Sequence, residues 1–312
     1  MFTAAKPASS RILVVRLGAM GDIIHALPAV ASLKTGFPGS RLTWVVEPRW
    51  APLVEDNPFI DRVVLLRRDT VTGLLESWRS LRAERYDFAV DFQGLIKSAL
   101  VAAAARPDRI FGFDHTQLRE RAAALFYSNQ TVSGAAHVVE KNLDLAAAAG
   151  AITPLRTFPL PAGRPEGALP AGDFVLASPV AGWRGKQWPM EHYQALGARL
   201  RGELGIPLVL DGPPGSGLEH CSGLAGLIHA TRRATAVVGV DSGPLHLAAA
   251  LGKPGVAIYG PTDPARNGPY GDSLRVLRSP AAVTTYKRGA AIHESMRAVS
   301  PAQVFEALKA MV

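Results

Sequence analysis

The chain has 312 residues, 48% of them hydrophobic and 19% charged, and its formal net charge is +8. This length accommodates two domains with separate cores, and the composition is ordinary for a globular α/β protein. No apolar run approaches the roughly 18 residues that cross a bilayer, and residues 1–10 lack the apolar core of a secretory signal. We therefore expect a cytoplasmic protein. The single cysteine, Cys221, excludes an internal disulfide and a cysteine-rich zinc cluster.

The positive charge comes mostly from arginines, many of them in the first half of the chain. The sequence has no lysine-rich tail and no alternation of aromatic and basic residues, so nucleic acid is not a predicted partner. Two interpretations of the charge remain: an evenly solvated surface, or a patch that faces anionic lipid head groups.

Short apolar runs alternate with helical segments along the chain, which predicts parallel sheets covered by helices on both faces. In the first half, we predict strands at 11–17, 42–47, 62–66, 87–91 and 110–113, and helices at 23–34, 73–85, 93–105, 121–127 and 137–149. In the second half, the predicted strands are 173–177, 206–211, 236–240, 255–259 and 274–277, and the helices are 190–204, 245–251 and 299–312. The proline-rich stretch 151–172 is typical of a linker between domains.

The first strand leads into a loop with glycines at Gly18 and Gly21, followed by Asp22 and a helix. These glycines permit close backbone approach of a ligand, but the spacing is not the Gly-x-Gly-x-x-Gly of dinucleotide-binding proteins. Asp22 is either a helix cap or a general base at the carboxyl edge of a sheet. Glu47, at the end of the second strand, either caps the next segment or binds a ribose, as in a NAD-dependent oxidoreductase.

The stretch 235–264 organises the second half of the chain. A buried β-branched strand is broken by Asp241, Ser242 and Gly243, and a helix that contains His246 follows. Ligands of open α/β sheets bind at such carboxyl strand ends, and the N–H groups at a helix N-terminus suit phosphate. The same residue types also suit helix capping, and a histidine here also suits a packing role.

Motifs in both halves resemble those of the lipopolysaccharide ADP-heptose heptosyltransferases, most of all heptosyltransferase I. They are Arg-Leu-Gly-Ala-Met-Gly-Asp from Arg16, Gln-Gly-Leu-x-Lys-Ser from Gln93, Lys-x-Trp-Pro from Lys186, and Asp-Ser-Gly-Pro-x-His from Asp241, which Gly-Lys-Pro and Tyr-Gly-Pro-Thr-Asp-Pro follow. The resemblance spans about residues 11–271. It implies an α/β GT-B fold, in which two Rossmann-like domains face a central cleft with their parallel sheets.

On this resemblance, we place an acceptor-binding domain at 1–160 and a nucleotide-sugar domain at 161–298. We expect the terminal helix, 299–312, to pack back on the first domain. The family's catalytic base corresponds to Asp22. The implied donor and phosphate residues are Lys186, Asp241, Ser242, Gly243 and His246, and the implied acceptor residues are Arg16, Gly21, His25, Arg67, Arg68, Lys97 and Arg119. Each of the basic acceptor candidates also has a simpler interpretation as a solvated surface charge.

The resemblance implies inverting transfer of heptose from ADP-L-glycero-D-manno-heptose to the Kdo residue of Kdo-lipid A, with peripheral contact at the cytoplasmic face of the inner membrane. The sequence contains no Asp-x-Asp pair. We therefore expect no metal and no cofactor, with positive side chains stabilising the departing diphosphate.

The chain departs from the family pattern in two places. Arg121 stands where the family's Arg-Glu-Pro segment has proline, and region 212–223 lacks about half of a βα unit, so the contacts to the nucleoside stay open. Four alternatives also stay open: a heptosyltransferase II-like acceptor, a nucleotide-sugar epimerase of the same fold, a NAD-dependent oxidoreductase, and a nucleotide-sugar-binding protein without activity.

Overall fold

The computed structural model describes residues 10–285 and 287–312. The chain divides into two compact units between Pro161 and Ala162. Each unit contains one six-stranded parallel sheet with helices, as the alternating pattern predicts. Residues 1–9, which carry most of the segment examined for a secretory signal, lie outside the described residues.

The first unit has the strand order β3-β2-β1-β4-β5-β6, with every neighbouring pair parallel. This is the order of a Rossmann fold, whose ligands bind at the switch between β1 and β4. Its strands are β1 (Arg11–Val15), β2 (Arg41–Val46), β3 (Arg62–Leu65), β4 (Phe88–Asp91), β5 (Arg109–Phe113) and β6 (Asn129–Thr131), and its helices are α1 (Met20–Gly36), α2 (Val71–Arg82), α3 (Ile96–Ala104) and α4 (Val138–Ala148). Short 3-10 helices occupy Pro48–Leu53, His115–Gln117 and Arg121–Phe126.

The second unit repeats this arrangement in the order β12-β11-β10-β7-β8-β9. Its strands are β7 (Val175–Ser178), β8 (Leu208–Gly212), β9 (His220–Cys221), β10 (Ala236–Val240), β11 (Gly255–Tyr259) and β12 (Leu274–Arg278). Its helices are α5 (Met190–Arg199), α6 (Leu224–Arg233), α7 (Gly243–Ala250), α8 (Pro264–Asn267), α9 (Glu294–Arg297) and α10 (Pro301–Lys309), with a 3-10 turn at Arg184–Lys186 and a π-helical turn at Leu200–Leu204.

The central strands are apolar because helices cover both faces of each sheet. In β1, the four residues after Arg11 are all fully buried, and every residue of β10 is buried. Polar residues therefore collect where these strands end, which is where the candidate site residues lie.

The segment before β6 differs from the prediction of one α-helix at 121–127. It forms a short 3-10 helix, Arg121–Phe126, and the sequence did not reveal β6. The Glu120 carboxylate accepts a hydrogen bond from the Ile96 N–H, and the Tyr127 hydroxyl donates to Asp91. These two long-range bonds fix both ends of the segment, and a 3-10 helix spans more length per residue between them than an α-helix would.

The connection between β8 and β9 contains no helix. Residues 213–219 join two parallel strands directly, although such crossovers commonly take a dozen or more residues. A buried pair stabilises this short connection: His220 Nδ1 lies 2.7 Å from Asp211 Oδ1, and His220 Nε2 lies 2.8 Å from the Glu166 carbonyl oxygen. This is the region that the sequence marks as lacking half of a βα unit.

The expected packing of residues 299–312 on the first unit stays a prediction. Within the second unit, the buried face of the last helix, α10, joins the core. Val304, Phe305 and Leu308 are fully buried there, in one cluster with Trp188 and residues of β7, β10 and β11. The apolar face of α10 thus fits the surface formed by α5 and β11, which are close to it in the same unit. None of the helices in the described part of the chain has the length and apolar character that a bilayer crossing demands.

Candidate functional site

The end of β1 and the start of α1 hold Asp22 through an ion pair. Arg16 follows β1, and its guanidinium lies 2.8 Å from Asp22 Oδ1 while it also donates to the Phe92 carbonyl oxygen. The Ala19 N–H donates to Asp22 Oδ2 across 3.2 Å. The Asp22 side chain nevertheless stays 38% exposed, whereas Arg16 is 9% exposed. The carboxylate therefore caps the first turn of α1 and also remains accessible from solvent.

The glycines of this loop have different surroundings. A Cβ at Gly18 would lie 2.6 Å from the indole nitrogen of Trp50, so this glycine is required by packing within the protein. Gly21 lies in the first turn of α1, partly exposed and next to Asp22. The close approach of backbone to a ligand, expected of both glycines, therefore stays a prediction for Gly21.

His25 lies in the interior of the first unit. It is 2% exposed, and its ring meets that of His137 edge-on with the centroids 5.6 Å apart. The Asn142 side chain donates to the His25 carbonyl oxygen across 3.0 Å, which ties α1 to α4. These contacts are those of a packing residue.

Glu47 gathers basic side chains at the carboxyl edge of the first sheet. Its Oε1 pairs with Arg68 and lies 3.8 Å from Lys97 Nζ, and its Oε2 lies 3.2 Å from Arg49. The Glu47 side chain is 13% exposed, but those of Arg68 and Lys97 are 48% and 44% exposed. Arg67 is exposed beside them, where Glu47, Arg49 and Arg68 line a groove of about 500 Å³. The arrangement presents cations to solvent around one anchored carboxylate.

Arg119 lies near the start of α3. Its side chain is exposed, and the neighbouring Glu120 caps α3 by accepting the Ile96 N–H across 2.8 Å. Lys97 is the next residue of α3. The exposed Arg119 therefore directly precedes the residue whose side chain caps α3, and α3 is the helix that carries Lys97.

A buried carboxylate, Asp91, shapes the Gln-Gly-Leu-x-Lys-Ser loop. It accepts hydrogen bonds from the Gln93 N–H, the Ser98 hydroxyl and the Tyr127 hydroxyl at 2.9, 2.8 and 2.7 Å. Burial raises the pKa of Asp91, and burial together with the neighbouring carboxylate raises the pKa of Tyr127. The Gln93 side chain in turn accepts the Leu17 N–H across 2.8 Å, which links this loop to the end of β1.

In the second unit, Asp241 binds two of the predicted donor residues. The ammonium of Lys186 lies 3.0 Å from Asp241 Oδ2, and His246 Nε2 lies 3.6 Å from Oδ1. The exposed fraction of the side chain is 14% for Lys186, 12% for Asp241 and 7% for His246. Burial works to raise the pKa of Asp241, but the interactions with His246 and Lys186 outweigh it and lower the pKa to about 2.

This geometry refines the role of Asp241. An ionised carboxylate repels phosphate, and here it instead binds the cation that attracts phosphate. The loop that carries Lys186 is equally constrained, because a Cβ at Gly185 would lie 2.8 Å from the Trp183 ring. The Lys186 ammonium lies 5.9 Å from the centroid of that ring. Asp241 and Trp183 therefore confine Lys186 to one place beside the end of β10.

Ser242 occupies the N-cap position of α7, and Gly243 begins the helix. The Ser242 hydroxyl makes no capping bond, and it is buried without a hydrogen-bond partner among the residues that the structure describes. The Thr262 hydroxyl, which follows β11, is likewise buried and has no hydrogen-bond partner among the described residues. Leaving a buried hydroxyl unsatisfied costs about 1–3 kcal/mol, so both groups are suited to a ligand.

Sequence reasoning missed three contributors. Glu47 was interpreted as a cap or a ribose ligand. Asp91 was named only as the last residue of a predicted strand, and Thr262 only as part of the Tyr-Gly-Pro-Thr-Asp-Pro motif. Glu47 and Asp91 share one signal, an acidic residue at the carboxyl end of a strand followed by a turn. That signal marks a position, but only the tertiary structure gives its partners.

The chain is similar to known glycosyltransferases over most of its length. The sequence profile of glycosyltransferase family 9 (heptosyltransferase) matches residues 74–292. Lipopolysaccharide heptosyltransferase 1 of Escherichia coli K12 is 30% identical over 86% of this chain and 94% of its own length. The Pseudomonas aeruginosa enzyme of the same name is 31% identical over 84% of this chain and 82% of its own length.

A solved structure extends the similarity to nearly the whole fold. The E. coli heptosyltransferase WaaC, in its structure with ADP-2-deoxy-2-fluoro heptose, superimposes with a TM-score of 0.76 and 26% identity. The match covers 97% of this chain and 100% of that one. It confirms the predicted α/β class, since structural relatives at this level share both Rossmann-like units. The chain therefore belongs to glycosyltransferase family 9, the heptosyltransferases, and is a glycosyltransferase similar to the heptosyltransferase 1 enzymes of lipopolysaccharide core synthesis.

Proposed function

We propose that the protein transfers heptose from ADP-L-glycero-D-manno-heptose to the Kdo residue of Kdo-lipid A, with inversion and without a metal ion. The similarity to lipopolysaccharide heptosyltransferase 1 and to WaaC bound to an ADP-heptose analogue supports the donor and the pathway. The observation that carries the proposal is the cluster at the end of β10, where a buried carboxylate fixes a lysine beside a helix N-terminus.

The proposed donor site lies in the second unit. Lys186 and the N-terminus of α7 bind the diphosphate, with the Ser242 hydroxyl and the Gly243 N–H as hydrogen-bond donors and His246 beside them. As the sugar–phosphate bond breaks, negative charge grows on the diphosphate oxygens. A fixed cation and a helix dipole stabilise that charge, and one such well-placed group contributes about 3–4 kcal/mol to the transition state.

Asp22 is the proposed general base. Its half-exposed carboxylate, oriented by Arg16, accepts the proton of the attacking acceptor hydroxyl. The hydroxyl oxygen forms the new bond to the anomeric carbon while ADP departs with the electron pair of the old bond. One direct displacement of this kind inverts the anomeric configuration. Because Lys186 supplies positive charge to the leaving group, the proposed reaction needs no divalent ion.

The exposed cations of the first unit are the proposed acceptor residues. Arg67, Arg68, Lys97 and Arg119 present positive charge to solvent. The Kdo carboxylate and the lipid A phosphates are anions that such side chains bind well. Because this acceptor is a lipid, we also propose that the enzyme works in peripheral contact with the inner membrane.

The experiment is the release of ADP from ADP-heptose, measured with and without deacylated Kdo-lipid A, and repeated in EDTA. We expect release that requires the acceptor and continues in EDTA. Release without any acceptor, or no release with both substrates present, contradicts the proposed transfer. Complete loss of activity in EDTA contradicts only its metal independence.

A further inference from the structure

Helix α2 carries its apolar side chains on its outer face. Its positions 71, 74, 75 and 78 follow the i, i+3, i+4, i+7 spacing, which places them on a single helix face. In most globular proteins such a face packs on the core, but here it lies in solvent. The residues and their exposed fractions are Val71 77%, Leu74 51%, Leu75 46% and Trp78 45%.

The inner face of α2 explains why the apolar face points outward. The buried residues of the helix are Gly73, Ser77 and Leu81, two of them small. The Ser77 hydroxyl donates to the Leu65 carbonyl oxygen across 3.0 Å, and a Cβ at Gly73 would lie 2.9 Å from the Arg67 Cβ. These tight contacts to the end of β3 fix the rotation of the helix about its axis. The outward apolar face is therefore a built feature of the first unit.

Arginines flank this apolar face in the sequence. Residues 67–85 contain five arginines and three acidic residues. One acid, Glu84, is paired with Arg62 at 3.2 Å. The Arg82 guanidinium lies 4.7 Å from the centroid of the Trp78 ring. Helix α3, which contacts α2, adds Leu100 at 50% exposed. The surface thus combines exposed apolar side chains, an exposed tryptophan and more positive than negative charges.

We propose that this surface, the exposed face of α2 with its flanking arginines, docks the protein on an anionic lipid bilayer. Apolar and aromatic side chains bordered by arginine are suited to the boundary between acyl chains and anionic head groups. Contact between two copies through this face would bring like-charged arginines together, which disfavours a symmetric dimer. The inference deepens the proposed function and rests on it, because it locates the surface through which a lipid acceptor is reached.

The test compares binding of the full chain to vesicles of phosphatidylglycerol and phosphatidylethanolamine with binding to phosphatidylcholine vesicles. Sedimentation gives the partition coefficient. We expect the wild type to prefer the anionic vesicles. The double variant Leu74→Ser/Trp78→Ser should bind them at least about tenfold more weakly, because less apolar area enters the bilayer. The matched control, Val283→Ser, alters a side chain that is 74% exposed in the second unit and should bind as the wild type does.

Two further readouts separate the components of binding. Arg79→Gln should weaken binding to anionic vesicles about fivefold, as expected for one cation near such a surface, and the effect should shrink in high salt. Brominated lipids should quench the fluorescence of the wild type, and Trp78→Phe should remove most of that quenching, because Trp44 and Trp188 are buried and Trp50 and Trp183 are partly buried.

Contrary outcomes are equally specific. Equal vesicle binding by the wild type and the double variant would overturn the docking surface. So would a wild-type dimer in analytical ultracentrifugation that the double variant converts to monomer, since that result makes the face a protein interface. Turnover of deacylated Kdo-lipid A should be unchanged in the double variant. Wild-type vesicle binding without any acceptor-dependent turnover would support the docking surface and overturn the proposed function.

Discussion

The Lys186 ammonium lies 3.0 Å from one oxygen of Asp241, and His246 approaches the other oxygen of the same carboxylate. Two segments that are far apart in sequence meet in this contact: the loop before α5, and the turn that leads from β10 into the first half of α7. Because Lys186 is held before any ligand binds, its charge needs little reorganisation when a diphosphate arrives. The cluster is therefore suited to stabilising a leaving group.

Replacing Lys186 with alanine tests this role. We expect kcat/KM for ADP-heptose to fall about 10²-fold or more, since one fixed cation is lost from the transition state. Steady-state kinetics with the acceptor held at saturation gives the value. Lys309→Ala removes an exposed lysine of α10 and should leave the kinetics unchanged. A Lys186→Ala enzyme with wild-type kcat/KM would remove the lysine from the proposed mechanism.

Asp22→Asn keeps the size of the side chain but removes its ability to accept a proton. We expect kcat to fall by roughly 10²-fold or more while the Kd for ADP stays near that of the wild type. Single-turnover kinetics and calorimetry measure the two quantities. Glu191→Gln, a carboxylate that is 67% exposed on α5, is the control. Near-normal turnover in Asp22→Asn would assign Asp22 to helix capping alone.

Ser242→Ala separates a ligand-binding hydroxyl from a helix cap. Because the hydroxyl is buried and makes no bond within the described part of the chain, its removal should leave the free energy of unfolding unchanged or slightly raised. The Kd for ADP should rise about tenfold, the value of one hydrogen bond of about 1.4 kcal/mol to a charged group. Urea unfolding and calorimetry report the two effects.

The matched control for this variant is Ser300→Ala. Ser300 caps α10 and accepts the Gln303 N–H across 3.3 Å, so its loss should lower the free energy of unfolding by about 1 kcal/mol. If Ser242→Ala destabilises the protein as much as Ser300→Ala does and leaves the Kd for ADP unchanged, Ser242 is a structural cap.

Protonation of Asp241 in acid should lower the free energy of unfolding of the second unit. The pKa of Asp241 is about 2 in the folded protein, below its ordinary value of 3.8. A lowered pKa means that the carboxylate stabilises the fold above pH 3.8, and this contribution disappears as the pH falls towards 2. The pKa difference corresponds to on the order of 2 kcal/mol.

Urea unfolding at pH 6 and at pH 2.5 measures this contribution. Asp241→Asn should be less stable than the wild type at pH 6 and should lose less stability on acidification. Asp272→Asn, an exposed aspartate of the same unit, should show the wild-type difference between the two pH values. An identical acid dependence in the wild type and Asp241→Asn would contradict the ion pairs described here.

The basic residues around Glu47 should act on the acceptor alone. Arg68→Gln removes an exposed cation, and we expect the KM for deacylated Kdo-lipid A to rise about fivefold while the KM for ADP-heptose is unchanged. The effect should diminish in high salt because exposed charges are screened. Arg275→Gln alters an exposed arginine of β12 and serves as the control. A rise in the donor KM instead would move Arg68 away from the acceptor.

The strand-loop-helix units could be predicted from sequence because their signals are local. An apolar strand, a glycine-containing turn and the apolar start of a helix lie within about 15 residues in both cases, at Asp22 and at Ser242. Each unit was located correctly, and the parallel sheets follow from their repetition. The contact between Lys186 and Asp241 was not predicted, because it depends on how β7 and β10 pair within the sheet.

Tertiary packing also explains the other residues whose surroundings the sequence did not predict. Glu47 gathers cations from the ends of β2 and β3 and the start of α3, and no local pattern encodes that adjacency. His25 shares a helix face with Asp22 in sequence spacing, yet the packing of α1 on α4 buries it. The apolar face of the terminal helix α10 packs on α5 and β11 in its own unit, and no local pattern encodes those partners.

The most direct test of the proposed transfer is the structure of its product. Purified protein, ADP-heptose and deacylated Kdo-lipid A are incubated in EDTA, and NMR of the product gives the linkage and the anomeric configuration. We expect one heptose on the Kdo residue, with a configuration opposite to that of the donor. A product with retained configuration, or heptose attached elsewhere, would contradict the proposed reaction.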